Sequence, residues 1–346
     1  MSKCDLTITL DRDPPHYAPG EKLSGKLTVD VNEPCRCDAL TVDLLWRTHG
    51  KGNKDAGTPD RELLGSFEWT PGEMHEHAFS FTMPQGPVSY HGHIVNVDWY
   101  VEARADVPWA IDPKAQQDVL LLPLPARSEA SAAYRAGPRR VAQPHVIGDR
   151  ARKDSPKVRI FVVVVMLAFF LFFFGSQLVI DGSPNVILMG FFLLLLGFSA
   201  KILWSDVRNF AAKQKVGELK IETEPAEATR GESLRVRAWF VPRSEGRVKR
   251  VWATLRGEEV AISGSGTNRT THRHDLHKVE SEMCGAMSFS REQPIDLTCE
   301  LRVPDDAPPS FRSSDNRVEW SVVVQVDIEG WPDLEQAVEI DVYPSR

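Results

Sequence analysis

The sequence is poor in cysteine and carries no excess of positive charge. Its five cysteines form no CxxC pair and are too few for a disulfide scaffold, so they favour a reducing compartment. Lys and Arg number 41 against 48 Asp and Glu, so the net charge gives no indication of a nucleic-acid partner. The amino-terminal segment MSKCDLTITLDRD has no apolar core, and it is not expected to act as a secretory signal.

The sequence also lacks the motifs of common catalytic sites. It contains no GxxxxGK[ST] loop, no HExxH pair and no GxSxG turn. The segment 264–270 (GSGTNRT) lacks the lysine that would reach a phosphate, so it is predicted to be a hairpin tip. The pairs Glu258–Glu259 and Asp305–Asp306 are predicted to be solvated charges without a partner for acid–base chemistry. These absences predict a protein that is not an enzyme, uses no cofactor and binds no small-molecule substrate.

Two long apolar runs interrupt an otherwise more polar sequence. The first extends from Ile160 to Ile180 and the second from Val186 to Trp204. Each meets the length of about 20 residues that a helix needs to cross a bilayer, and turn-forming residues separate them. The runs predict a transmembrane helical hairpin over 158–206, with the lipid bilayer as one partner of the protein.

Basic residues flank this predicted hairpin, whereas its connecting turn has none. Since Lys and Arg concentrate on the cytoplasmic side of membrane helices, both domains are predicted to be cytoplasmic, in an integral membrane protein with two spans. The segment 125–157 is rich in Ala, Arg, Pro and Ser, and it is predicted to be a flexible basic linker. The flanking basic residues are Arg150, Arg152, Lys153, Lys157, Arg159, Lys201, Arg208, Lys213 and Lys215.

Outside the hairpin, apolar and polar residues alternate with the period of β-strands. The segments 26–31 (KLTVDV) and 94–107 (IVNVDWYVEARADV) are examples, and clusters of Pro, Gly and Asp separate such runs. Alternation at period two indicates a sheet with one buried face, and the spacing of the turns is typical of an antiparallel sandwich. The predicted fold class is therefore mainly β, with a two-helix hairpin added.

One stretch of the sequence occurs twice. The segment that begins at Ser89 recurs without a gap from Ser310, and the alignment places Trp99 on Trp320. A repeat of this length predicts two copies of one domain, over 1–124 and 216–346. Alternation predicts that both tryptophans lie in the cores, together with Val101 and Val322; contact of the tryptophans with a ligand is the alternative.

Two short motifs of the first copy resemble the arrestin-type β-sandwich. The residues are Tyr17, Pro19, Gly20, Glu21 and Gly25 in the first motif, and Pro87, Ser89, Tyr90, Val97, Trp99, Tyr100 and Val101 in the second. Arrestins, the retromer subunit of similar shape and bacterial sporulation-control proteins carry two such sandwiches in tandem. The resemblance implies two immunoglobulin-like, arrestin-like sandwiches. The sequence departs from this family in its long linker and hairpin, and in lacking the charged cluster that holds receptor arrestins inactive.

Histidines occur in closely spaced groups, most densely in HRHDLH. On a strand, His272 and His274 would share one face, and a metal ion could join them with His277. The groups do not correspond between the two copies, so solvated hairpin residues are the favoured interpretation, and a metal site is the alternative.

These observations predict a membrane-anchored, arrestin-like adaptor or scaffold that binds protein partners at the cytoplasmic face of a membrane. Sandwiches of this kind bind through loops and exposed strand edges. Two alternatives stay open: an extracytoplasmic structural or adhesion module with both sandwiches outside, and a metal-dependent regulator that uses the histidine-rich loop.

Overall fold

A computed structural model of the chain describes residues 2–123, 197, 217–331 and 333–344. Within these ranges the chain forms strands that assemble into four sheets, and the sheets pack in pairs around two apolar cores. The prediction of a mainly β chain is therefore confirmed, and the architecture is that of tandem β-sandwiches.

The first sandwich contains nine strands. They are β1 (Cys4–Leu10), β2 (His16–Tyr17), β3 (Lys22–Val31), β4 (Cys35–Gly50), β5 (Ala56–Trp69), β6 (Met74–Thr82), β7 (Tyr90–His91), β8 (Val95–Asp106) and β9 (Lys114–Leu121). One sheet has the order β1-β3-β6 and the other has the order β2-β9-β8-β4-β5, with β7 paired to β8. The strands pair antiparallel except β2 and β9, which are parallel.

The second sandwich repeats this arrangement. Its strands are β10 (Lys220–Glu224), β11 (Glu227–Thr229), β12 (Ser233–Phe240), β13 (Gly246–Ser263), β14 (Thr270–Cys284), β15 (Met287–Phe289), β16 (Ile295–Arg302), β17 (Phe311–Arg312), β18 (Asn316–Ile328) and β19 (Leu334–Tyr343), with a short 3-10 helix at Gly266–Asn268. The sheet β10-β12-β16 faces the sheet β11-β19-β18-β13-β14. Strands β15 and β17 pair with β13 and β18.

The two copies share the same contacts around a central tryptophan. Trp99 on β8 and Trp320 on β18 are fully buried, as are Val101 and Val322 two residues later. Each indole nitrogen donates a hydrogen bond to a proline carbonyl, from Trp99 to Pro87 at 2.7 Å and from Trp320 to Pro308 at 2.9 Å. The buried N–H groups are therefore satisfied in both cores.

The Pro-Gly-Glu turn of the first copy also has a counterpart. Gly20 has φ +82°, which favours glycine, and the Glu21 carboxylate accepts the backbone N–H of Ala18 at 3.0 Å. In the second copy Gly231 has φ +77°, and Glu232 accepts the N–H of Thr229 at 3.0 Å. In both copies the glutamate fixes the turn that leads into the second strand of the three-stranded sheet.

The structure corrects the predicted localisation. A span needs about 20 apolar residues in one helix, and within the described ranges no helix is long and apolar enough to cross a membrane. This finding overturns the prediction of an integral, two-span membrane protein with both domains in the cytoplasm. The predicted spans 160–180 and 186–204, like the linker 125–157, lie outside the described residues apart from Gly197.

Candidate functional site at the seam between the sandwiches

The two sandwiches meet at the starts of β8 and β18 and at the ends of β4 and β13. We call this contact the seam. A small apolar cluster lies at its centre, formed by Ile94, Val95 and Ala261, with Tyr90 and Phe311 packed against it. Its apolar area is small, so polar contacts provide much of the specificity of the seam.

Glu259 on β13 is the most buried carboxylate of the seam, with no exposed surface. It accepts the backbone N–H of His93 at 3.0 Å and that of Ile94 at 2.6 Å, and the hydroxyl of Tyr90 also donates to it. Burial raises the pKa of Tyr90, and the adjacent Glu259 carboxylate raises it further. A buried anion is tolerated when several donors surround it. All three donors of Glu259 belong to the first sandwich.

Asp55 extends the opposite way, from the first sandwich towards the second. Its Oδ2 accepts the Ser313 hydroxyl at 2.5 Å, the Asn316 side-chain amide at 2.8 Å and the backbone N–H of Asp315 at 3.0 Å. Burial alone would raise the pKa of Asp55, but these hydrogen bonds outweigh it and leave the pKa below its ordinary value. The Asn316 amide also donates to the Thr48 hydroxyl at 3.0 Å.

Asn53 adds backbone contacts beside Asp55. Its side-chain amide donates to the carbonyl of Gly264 at 3.0 Å, and its side-chain oxygen accepts the N–H of Gly264 at the same distance. The backbone N–H of Asn53 donates to the carbonyl of Ile262 at 2.8 Å. The hairpin loops of the two sandwiches therefore pair much as neighbouring strands do.

The seam leaves no room for side chains at two glycines. A Cβ atom on Gly92 would lie 1.7 Å from Glu259 Oε1, and one on Gly52 would lie 2.3 Å from Asn316 Oδ1. The Glu259 carboxylate is held by its three donors, and the Asn316 side chain is held by the hydrogen bonds of its Nδ2 atom, so neither can withdraw freely. The seam is thus a reciprocal contact, in which one carboxylate from each sandwich binds donors of the other, and it holds the two sandwiches in one relative orientation.

The three candidate metal-binding histidines of β14 have separate partners. His272 Nε2 lies 3.1 Å from the Ser263 hydroxyl. His274 stacks on His93 across the seam, with ring centroids 3.9 Å apart, and His277 stacks on Trp320 at 5.7 Å. The β13–β14 ladder pairs His272 with Ala261 and His274 with Glu259, and a register shift between Gly257 and Glu258 brings His277 onto the same face, opposite Gly257. The three rings follow one another along this face, and each contacts a different group. No group of three or more His, Cys, Asp or Glu among the described residues could hold a metal ion.

Sequence reasoning missed the seam, and its interpretation of Glu259 as a solvated charge was wrong. The physical reason is that the other sandwich covers this carboxylate and supplies its donors. A signal was present, because alternation along β13 puts Glu259 on the same face as the buried Leu255 and Ala261. A charged residue on a core-facing position indicates a specific partner.

The tandem β-sandwiches are consistent with the arrestin-like fold that the resemblance implied, and the comparisons support that fold. No family model matches the chain. Thioredoxin-interacting protein of Rattus norvegicus, an arrestin-family protein, is 30% identical over 115 residues, which cover 27% of this chain and 28% of that protein. The Homo sapiens protein of the same name is 31% identical over 112 residues, covering 27% and 29%.

The chain therefore matches less than a third of the length of these relatives. Among solved structures, the alignment with the sporulation control protein Spo0M of Bacillus subtilis covers 98% of this chain and 91% of that chain, with 12% sequence identity and a TM-score of 0.32. That TM-score is too low to support a conclusion.

Proposed function

We propose that this chain is an arrestin-like adaptor or scaffold that binds protein partners and has no catalytic activity of its own. Its two sandwiches, over the predicted ranges 1–124 and 216–346, act as one unit. Membrane anchoring is not part of this proposal.

The observation that carries the proposal is the reciprocal seam. Glu259 and Asp55 accept hydrogen bonds from six donor groups of the opposite sandwich. Such contacts fix the spacing between surfaces of the two sandwiches, and a partner that touches both then binds a pre-organised target at a lower entropic cost. The similarity to thioredoxin-interacting proteins supports the same function class.

Exposed strand edges offer surfaces for such partners. Strand β5 ends one sheet of the first sandwich and pairs, among the described strands, with β4 alone. Leu63 on this strand has 65% of its surface exposed. An edge strand can accept an extended segment of another protein through its free backbone groups. The separate surroundings of His272, His274 and His277 give no support to the metal-dependent alternative.

The test begins with the full chain crosslinked to its neighbours in cells, followed by identification of the adducts and purification of one partner. We expect saturable binding of that partner to the full chain. The double variant Glu259→Ala/Asn316→Ala should bind about tenfold more weakly, because loosening the seam lowers the effective concentration of the second contact surface.

The exposed carboxylate variant Asp118→Ala, on β9 away from the seam and the β5 edge, is the matched control and should bind like the wild-type chain. If no crosslinked protein binds saturably, the adaptor function is wrong. If the seam variant binds as tightly as the control, the adaptor function is kept and the joint action of the two sandwiches is wrong.

A further inference from the structure

The hairpin between β8 and β9 presents the most exposed apolar side chains of the described residues. Trp109 is fully exposed, and Ile111 has 94% of its surface exposed. The hairpin lies at the end of the first sandwich opposite the seam, because the seam contacts the start of β8 and the hairpin follows its end. A large aromatic side chain gains nothing for folding in such a position, since it buries no area.

Trp109 also adopts a backbone conformation that suits glycine better. Its φ is +63°, in the left-handed region, where side chains other than glycine are disfavoured. The matching hairpin of the second sandwich shows the alternative. Adding the repeat offset of 221 to 109 gives Gly330, whose φ is +71°.

The two turns have the same hydrogen bond. Ala110 donates its N–H to the carbonyl of Val107 at 3.2 Å, and Trp331 donates to Ile328 at 3.1 Å, again 221 residues later. The same turn therefore has glycine, which its backbone conformation favours, in the second sandwich and tryptophan in the first. Backbone strain at a fully exposed aromatic residue indicates a function other than folding.

Side chains next to the turn hold it rigidly. Asp112 accepts Arg104 Nε at 2.9 Å and the backbone N–H of Val107 at 3.2 Å. The tip from Pro108 to Ile111 contains no ionisable side chain and therefore carries no charge. Asp106 at its base is exposed and interacts electrostatically with Arg104, whose hydrogen-bonded partner is Asp112. Lys114, the exposed lysine that begins β9, lies below the tip, and the residues of the tip itself offer no cation to an anionic membrane surface.

We infer that this tip is an anchor for a protein partner: Trp109 and Ile111 enter an apolar pocket whose rim carries a basic group opposite Asp106. The inference deepens the proposed adaptor function and rests on it. A rigid tryptophan that enters a pocket is the usual form of an interface hot spot, and its pre-ordered turn lowers the entropic cost of binding.

The experiment places a photo-reactive amino acid at Ile111 in the full chain, and separately at Leu63 on the β5 edge. The protein captured at Ile111 is identified and purified, and its Kd is measured with variants of the tip. We expect Trp109→Gly to weaken binding roughly 30-fold, while Trp109→Phe stays within a few-fold of the wild-type chain. Trp109→Gly should also raise the Tm by about 2–4 °C, because it relieves the backbone strain.

A higher Tm together with weaker partner binding distinguishes an anchor residue from a merely structural one. The anchor is wrong if Ile111 crosslinks only to lipid or to a second copy of the chain, or if Trp109→Gly leaves the Kd unchanged. Protein adducts at Leu63 alone also contradict the anchor, although they leave the adaptor function intact. Absence of protein adducts at both positions contradicts the anchor and the adaptor together.

Discussion

The two sandwiches share their core contacts and differ at their ends. The tryptophan–proline hydrogen bonds and the glutamate-fixed turns occur in both. By contrast, the first sandwich carries the strained tip at Trp109, and the second carries the stacked histidines of β14. Contacts found in both copies are the ones that the sandwich needs in order to fold. Features found in one copy are therefore the better guide to function.

The largest effect is expected for the two core tryptophans. Trp99→Ala and Trp320→Ala each leave a cavity and an unpaired proline carbonyl, and each should lower the free energy of unfolding of its own sandwich by about 3–5 kcal/mol. Chemical denaturation monitored by fluorescence measures this loss. Trp109→Ala is the control, and it should not be destabilising. A large difference between the two core variants would show that the copies depend on this shared contact unequally.

The seam should be the next most sensitive site. Glu259→Gln replaces the carboxylate, which accepts hydrogen bonds from three donors, with a neutral amide. We expect the free energy that holds the two sandwiches together to fall by about 2–3 kcal/mol. Hydrogen exchange of the His93 and Ile94 amides measures it, because both donate to this carboxylate. Exchange as slow as in the wild-type chain would mean that the apolar cluster alone holds the seam. Asp118→Asn, an exposed change, is the control.

A smaller effect is expected at the shared turns. Gly20 and Gly231 both have positive φ, so alanine at either position should cost about 1–2 kcal/mol. A Cβ on Gly20 meets no atom within 4 Å, whereas one on Gly231 would lie 2.5 Å from Asp305 Oδ1. Because Asp305 is exposed and can turn away, the two losses measured by thermal unfolding should agree within about 0.5 kcal/mol. A much larger loss for Gly231→Ala would show that Asp305 is fixed in place.

The sequence predicts more of the fold than of the seam. Period-two alternation and the repeat around Trp99 and Trp320 indicate paired sheets, because each reports local burial along one strand. The seam joins residues far apart in the chain, such as Asn53 with Gly264 and Tyr90 with Glu259. Nothing local distinguishes a loop aspartate that faces solvent from one, like Asp55, that faces another domain. Only the packing of the sandwiches decides between them.

The smallest expected effect is on how the free energy of unfolding depends on pH, and only the first sandwich has the carboxyl group responsible for it. Trp46 pairs with Trp99 and Gly257 pairs with Trp320, so β4 and β13 align with an offset of 211. This alignment places Gly266 at the position of Asp55, so the second copy has no carboxyl group there. Hydrogen bonds across the seam lower the pKa of Asp55, against the opposing effect of burial. Its contribution to stability is therefore complete above the unfolded-state pKa of about 4, and it is lost as the pH falls through the lower folded-state pKa.

Asp55→Asn removes this contribution. The difference in unfolding free energy between the wild-type chain and Asp55→Asn should be constant from about pH 5 to 7 and should narrow below about pH 4. Urea denaturation of both chains across this range measures the difference. If this difference in unfolding free energy widened on acidification, the folded chain would bind a proton at Asp55 more readily than the unfolded chain. The hydrogen bonds from Ser313, Asp315 and Asn316 could then not be the contacts that join the two sandwiches.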